Sequence, residues 1–231
     1  MKRIAVVLSG GVGSRMGLEI PKQYVVVGDR PIISYSVQQF LNNSLTDAIV
    51  IVVANEWRNF VEKHVSKLLP QKPVYYAEAG ETRQYSVYNG LKVVSEYVNS
   101  PEDIVLIHDA ARPLVSQDLI NRCYTSCEEV DGVMPVVPVK DTTYLSEDGI
   151  HIQSLLNRNH LWSGQAPEAF RLVKYLKIHE DMPKEELLKI NGSTELAFKV
   201  GLNCQMIEGD SMNFKITTPE DLSNFEAIIF Q

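Results

Sequence analysis

Residues 4–17 read Ile4-Ala5-Val6-Val7-Leu8-Ser9-Gly10-Gly11-Val12-Gly13-Ser14-Arg15-Met16-Gly17. The unbroken apolar run at 4–8 is the pattern of a strand buried on both faces of a parallel sheet, not of one that alternates between core and water. Glycines follow it at once. Lacking Cβ atoms, Gly10, Gly11 and Gly13 can take positive φ and bring backbone N–H groups close to phosphate oxygens. Arg15 contributes a planar guanidinium fork, and Lys22 adds a point charge shortly afterwards. Strand, glycine loop and two cations together predict a strand-to-helix grip for a polyphosphate. The alternative is an ordinary turn whose glycines solve a backbone problem and whose cations are solvated.

Two familiar phosphate loops do not fit the spelling. A dinucleotide fingerprint requires glycine at position 16, where Met16 stands, and no acidic residue closes the next apolar run at 48–54, which speaks against an NAD-dependent dehydrogenase. A P-loop requires Gly-Lys-Ser/Thr, whereas Gly17 is followed by Leu18.

The spelling is instead similar to that of the cytidylyltransferases that act on polyol phosphates. Pro21-Lys22-Gln23-Tyr24 continues the likeness, as do Gly80-Glu81-Thr82-Arg83-Gln84-Tyr85-Ser86-Val87, His108-Asp109-Ala110-Ala111-Arg112-Pro113, Pro138-Val139-Lys140-Asp141-Thr142, Asn157-Arg158-Asn159-His160-Leu161-Trp162 and Asn213-Phe214-Lys215-Ile216-Thr217. These blocks fall in the family's order over nearly the whole chain. Two branches are resembled, one acting on 2-C-methyl-D-erythritol 4-phosphate and one on D-ribitol 5-phosphate. The fold implied is a Rossmann-like, mainly parallel α/β sheet of the nucleotidyltransferase type, with a β-hairpin arm at about 139–160.

The chain has 231 residues, enough for one domain with a sizeable core. A formal charge of −7 argues against nonspecific nucleic-acid binding, so the cations near the glycine loop stand out locally. Cys123, Cys127 and Cys204 show no metal-ligand spacing, and the first two read as small buried side chains on one helix. The first residues lead directly into a strand and no apolar run has the length of a membrane span, which predicts a cytoplasmic protein.

Strand and helix patterns alternate from the first strand onward: helix at 31–41, strand at 48–54, helix at 57–68, strand at 74–77, helix at 82–98, strand at 104–108, helix at 117–128 and strand at 132–138. The pattern then changes to a hairpin at 141–156 turning at Asp148-Gly149. Residues 214–216 read as a late strand. Such a hairpin must hide its apolar side, either on its own domain or on a second subunit. The resemblance implies the latter, a homodimer whose arm reaches the partner's site.

The chemistry implied is attack by an acceptor phosphate oxygen on the α-phosphorus of CTP. A phosphate dianion is already nucleophilic at neutral pH, so no general base is needed and cations and alignment carry the rate. Arg15 and Lys22 are expected to stabilise the α-phosphate, assisted by Lys215. The resemblance implies nucleotide contacts from backbone around Leu8 and Ser9, from Gly10, Gly11, Gly13 and Gly80, and from the Ser86 hydroxyl. It also places Asp109 near the phosphates and a Mg²⁺ ion, where a hard carboxylate suits a cation that keeps several waters; an Asp capping the following turn is the plainer alternative. Arg112, Thr142 and Arg158 are implied for the polyol phosphate, the last two from the arm. His108 reads as structural, its ring bonded to backbone, and Trp162 as a core anchor.

The chain departs from the isoprenoid branch in three places. Ser9-Gly10-Gly11 stands for Ala-Ala-Gly, Ala166-Pro167-Glu168 for Thr-Pro-Gln, and the stretch 191–195 for Thr-Asp-Glu-Ala. These changes unsettle the acceptor half and lean toward an alditol phosphate. A sugar-1-phosphate nucleotidyltransferase shares loop and sheet but lacks the arm and the Lys215 block. A noncatalytic nucleotide-binding protein would not need Arg15, Lys22, Asp109, Arg158 and Lys215 together.

Overall fold

The computed structural model describes residues 1–11 and 20–230. In chain order it contains β1 (Arg3–Leu8), a 3-10 turn (Lys22–Tyr24), β2 (Val26–Val27), β3 (Arg30–Pro31), α1 (Ile32–Asn42), β4 (Ala48–Val53), α2 (Asn55–Ser66), β5 (Val74–Glu78), α3 (Arg83–Ser95) and β6 (Ile104–Asp109). There follow α4 (Gln117–Ser126), β7 (Gly132–Pro138), β8 (Thr143–Leu145), β9 (Ser154–Leu156), a 3-10 turn (Arg158–His160), β10 (Trp162–Gly164), β11 (Glu168–Arg171), α5 (Leu172–Asp181), α6 (Lys184–Leu187), α7 (Ser193–Lys199), β12 (Cys204–Glu208) and α8 (Pro219–Ile229).

β1 pairs in parallel with β4 on one side and β6 on the other, and β5 extends the sheet beyond β4. β11 runs antiparallel to both β6 and β7, which restores β7 to the direction of β6. β10 pairs with the far end of β7, and β12 lies parallel along β7. The expected mainly parallel α/β sheet is thus present, with an antiparallel insertion.

The apolar runs are continuous because both faces of the sheet are covered. Ala5, Val7, Ile49, Ile51 and Leu106 pack with Phe40 of α1, Val61 of α2 and Tyr124 of α4. Their alternating neighbours Val6, Val50, Val52 and Ile107 pack on the other side with Leu91 of α3, Tyr175 of α5 and Leu196 of α7. A strand period of two with apolar residues at both phases has no polar face to show. Cys123 and Cys127 are buried, as expected of small apolar side chains. No described helix is long and apolar enough to cross a membrane.

Three local expectations need correction. The hairpin exists, with Thr143 opposite Leu156, but its strands are short and residues 146–153 form a wide loop instead of a two-residue turn. Asp148 Oδ1 accepts from Ile150 N at 2.9 Å and His151 N at 2.8 Å, while Gly149 takes a left-handed φ of 72°, so the Asp side chain organises the loop. Trp162 is 49% exposed and anchors no core. Residues 214–216 form no strand; they cross the end of β6, where buried Ile216 donates its N–H to Ala111 O at 2.9 Å.

Candidate active site

The chain leaves β1 for β4 on one side and returns to β6 on the other, so the connections diverge above the carboxyl ends of β1 and β6. Open α/β sheets form their ligand crevice at such a point. Leu8 and Asp109 are register partners at those ends. Above them opens a cleft of about 500 Å³ lined by Leu8, Gly10, Gly11, Lys22, Gly80, Ser86, Asp109 and Lys215. Eight residues singled out in the sequence therefore share one cavity. Gly13 and Arg15 lie outside the described residues.

Asp109 is the electrostatic centre of the cleft. Its Oδ2 accepts from Lys215 Nζ at 2.8 Å, Arg83 Nη2 lies 3.5 Å from Oδ1, and Arg112 Nε lies 3.8 Å from Oδ2. Burial opposes the carboxylate charge, but Arg83, Lys215 and Arg112 outweigh it and hold the carboxyl well below its ordinary range. Burial likewise opposes the charge of Arg83, and Asp109 with Glu168 overcomes it, raising the guanidinium above its usual value. Asp109 and Arg83 therefore stay ionised. The result is a small ordered field in which cationic hydrogen-bond donors already surround one acid.

The glycines act by close approach. Neither Gly10 nor Gly11 takes a positive φ, contrary to the simplest reading of the loop. A Cβ on Gly10 would lie 2.4 Å from Ala79 Cβ, and one on Gly80 would lie 2.4 Å from Tyr85 Cβ. Gly10 thus packs closely against Ala79, and Gly80 against the first turn of α3, along one wall. Ser86 Oγ accepts from Gly80 N and donates to Thr82 O, both at 3.0 Å, which closes the turn into α3. Ser9 is buried and does not line the cleft; its hydroxyl donates to Val52 O at 2.8 Å.

The acceptor-side residues are not gathered in one chain. Arg112 lies beneath the cleft, donating from Nη1 to Asn213 O at 2.7 Å. Thr142 and Arg158 line a separate hollow on the arm, where Arg158 Nη1 donates to Lys140 O at 2.7 Å. His108 is buried, and its Nε2 lies 3.1 Å from Arg112 O, in keeping with a structural role. Burial pushes its imidazole down to about 4.

Two residues escaped assignment from the sequence. Arg83, within a quoted block, bridges Asp109, Glu168 Oε2 at 3.3 Å and Ser193 Oγ at 2.7 Å. Glu168 completes that wall: its Oε1 accepts from Thr194 N at 3.0 Å and Thr194 Oγ1 at 2.7 Å. Both Glu168 and Thr194 fall where the chain departs from the isoprenoid branch, and the structure shows that they are partners. Among the described residues no cluster of three or more metal-binding side chains occurs. Asp109 lines the cleft as a hard carboxylate whose oxygens already meet Lys215 and Arg83, which fits at most a cation bound chiefly by phosphates and water.

A sequence model described as IspD, 2-C-methyl-D-erythritol 4-phosphate cytidylyltransferase, matches residues 3–231. The chain is 36% identical over 230 residues to the 2-C-methyl-D-erythritol 4-phosphate cytidylyltransferase of Geobacter metallireducens, covering 99% of this chain and 98% of that one. It is 31% identical over 229 residues to the ribitol-5-phosphate cytidylyltransferase of Streptococcus agalactiae, covering 99% and 95%. Its fold matches the 4-diphosphocytidyl-2C-methyl-D-erythritol synthase of Anaerococcus prevotii with a TM-score of 0.83 at 21% identity, over 100% of this chain and 96% of that one. With sequence, fold and cleft in agreement, the chain belongs to the IspD family of cytidylyltransferases.

Proposed function

We propose that this cytidylyltransferase moves CMP from CTP onto the phosphate of a small polyol phosphate, releasing pyrophosphate. The observation that carries the reading is the meeting of Lys22, Lys215 and Asp109 with the glycine run in one cleft. An oxygen of the acceptor phosphate attacks the α-phosphorus of CTP. A new P–O bond forms, the bond to the β-phosphate bridge breaks, and its electron pair leaves on pyrophosphate. No proton need be removed from the nucleophile. Lys22 and Lys215 neutralise charge on the five-coordinate phosphorus and leaving group, and Arg15 is assigned the same task. Leu8 backbone, Gly10, Gly11, Gly13, Gly80 and Ser86 hold the nucleotide, and the Ser9 backbone, bonded to Val52, Gln23 and Tyr24, supports them from behind. Asp109 is the residue that would hold Mg²⁺, which supplies further charge neutralisation when bound.

The acceptor we favour is an alditol phosphate such as ribitol 5-phosphate, over 2-C-methyl-D-erythritol 4-phosphate. Position 166 is Ala, without a hydroxyl, and the Ser193 hydroxyl is taken by Arg83. Arg112, Thr142 and Arg158 are assigned to it, with Thr142 and Arg158 supplied by a second copy in a homodimer. Tyr144, Leu145, Ile150, Ile152 and Leu155 on the arm are exposed, which supports a covered arm in that assembly. The whole chain acts as one catalytic domain with its arm, in the cytoplasm, in keeping with three free cysteines. Phosphorus NMR of the protein incubated with CTP, Mg²⁺ and each acceptor in parallel tests the assignment. A diphosphate product with ribitol 5-phosphate at the higher kcat/KM is expected; a preference for 2-C-methyl-D-erythritol 4-phosphate would reverse the acceptor.

A further inference from the structure

Gln23 follows Lys22 directly and is buried, yet its side chain belongs to the loop across from it. Its Nε2 donates to Ser9 O at 2.5 Å and to Gly11 O at 2.8 Å. Tyr24 OH donates to the same Ser9 carbonyl at 2.7 Å. The Tyr24 ring is itself fixed in the core, stacked on Trp57 with ring centroids 4.6 Å apart and edge-on to Phe60 at 5.7 Å. Core, Tyr24, the turn carrying Lys22, Gln23 and the loop are thus connected through consecutive contacts.

The peptide geometry gives this brace a direction. In a trans peptide the N–H points opposite to the preceding C=O. With the Ser9 carbonyl turned toward Gln23 and Tyr24, the N–H of Gly10 is turned away from them, and Gly10 lines the cleft. The amide NH₂ of glutamine carries two donors, and here both serve carbonyls two residues apart. A glutamate would set carboxylate oxygens against carbonyl oxygens, and a methionine would take the Gln23 donor from the Gly11 carbonyl and leave the Ser9 carbonyl to Tyr24 OH alone, a costly change when buried.

We infer that Gln23 is a positioning residue for phosphate binding: it locks the loop carbonyls so that the loop backbone and Lys22 address the same polyphosphate. Gln23 stands in the lining of the cleft, but both hydrogens of its amide are committed to the loop carbonyls. The inference rests on the nucleotide reading above, and it deepens that reading by naming what preorganises the grip. Preorganisation of this kind acts on the phosphate chain and leaves base recognition at Gly80 and Ser86 alone.

The test is the ratio of CTP to CMP affinity, measured by calorimetry for wild type, Gln23→Met and Tyr24→Phe, with thermal melts of each. Wild type is expected to bind CTP more tightly than CMP. Gln23→Met is expected to lower that ratio roughly tenfold, mostly through weaker CTP binding, and Tyr24→Phe to lower it less because Gln23 remains. A role confined to general stability would weaken both nucleotides alike and leave the ratio unchanged, which overturns the inference. Should Gln23→Met fail to fold, an unchanged ratio in folded Tyr24→Phe overturns it equally. Failure of wild type to bind CTP at all overturns the nucleotide reading, and this inference with it, and is recognisable as such before any variant is compared.

Discussion

Lys215 Nζ lies 2.8 Å from Asp109 Oδ2, although 106 positions separate the two residues in sequence. The contact ties the segment before α8 to the end of β6 and sets an ammonium group at the cleft before any phosphate arrives. An electrostatic catalyst gains from donors already in place, because they need not reorganise as charge develops. Lys215→Ala should therefore lower pyrophosphate release about a hundredfold. Its side chain is 36% exposed, so the urea midpoint should shift little. Steady-state rates and urea curves on the same preparation check both halves.

Gly10 and Gly11 are neighbours with different reasons for being glycine. An added Cβ at position 10 meets Ala79 Cβ at 2.4 Å, whereas position 11 has nothing within 4 Å among the described residues. Gly10→Ala is expected to cost about 1–3 kcal/mol through overpacking and to weaken CTP binding; Gly11→Ala should approach wild-type stability. Melting temperatures with and without CTP separate the two, and equal losses would show that close approach is not what position 10 requires.

Thr142 and Arg158 lie on the arm, apart from Lys22 and Asp109 in the same chain. If a second copy supplies them, Lys22→Ala and Arg158→Ala proteins, each inactive alone, will regain activity when mixed and allowed to exchange subunits. Mixtures that stay inactive although exchange is demonstrated would place the whole site within one chain.

Acid should destabilise the fold in a definable window. Burial pushes both His108 and His179 down to about 4, while an unfolded histidine titrates near 6.5. Both are neutral in either state above pH 6.5 or so, where their contribution is complete. Between about pH 6.5 and 4 the unfolded chain binds more protons, so stability falls as pH falls, by up to ~1.4 kcal/mol per pH unit for each residue. Asp109, held below its ordinary range, adds its loss only beneath about pH 4. Urea midpoints across this range should be less steep for His179→Gln than for wild type; identical slopes would mean that His179 titrates normally.

Glu168 and Thr194 form the side wall that Arg83 completes. Glu168→Ala leaves the Arg83 guanidinium with one acid fewer and should destabilise by about 3 kcal/mol. In a double-mutant cycle with Thr194→Val the coupling should be about 0.5–3 kcal/mol. Strict additivity would deny the partnership.

How far the sequence could be read depended on whether each signal was local. β1 and β6 were legible because a continuous apolar run of this length is a local pattern, whereas the reason for glycine at position 10, close approach to Ala79, lies far away in sequence. The helix expected over 82–98 overran α3, since residues 96–98 close a capping turn whose N–H groups bond back to Val93 and Val94. Arg83 was visible as a letter but not as a hub: its partners lie 26, 85 and 110 positions away, and no spacing rule reaches that far. Trp162 was misread because an aromatic beside leucine looks like core until the fold sets it on the outer part of the sheet. Lys215 was found through likeness to a family, since nothing in Phe214-Lys215-Ile216 alone points to Asp109.

Pyrophosphate released from CTP and Mg²⁺, measured with and without a polyol phosphate, tests the proposed reaction most directly. Release that requires the acceptor and yields a CDP-polyol in equal amount is the expected result. Release at the same rate without acceptor, or none with either polyol phosphate while CTP binds normally, would contradict attack by the acceptor phosphate on the α-phosphorus.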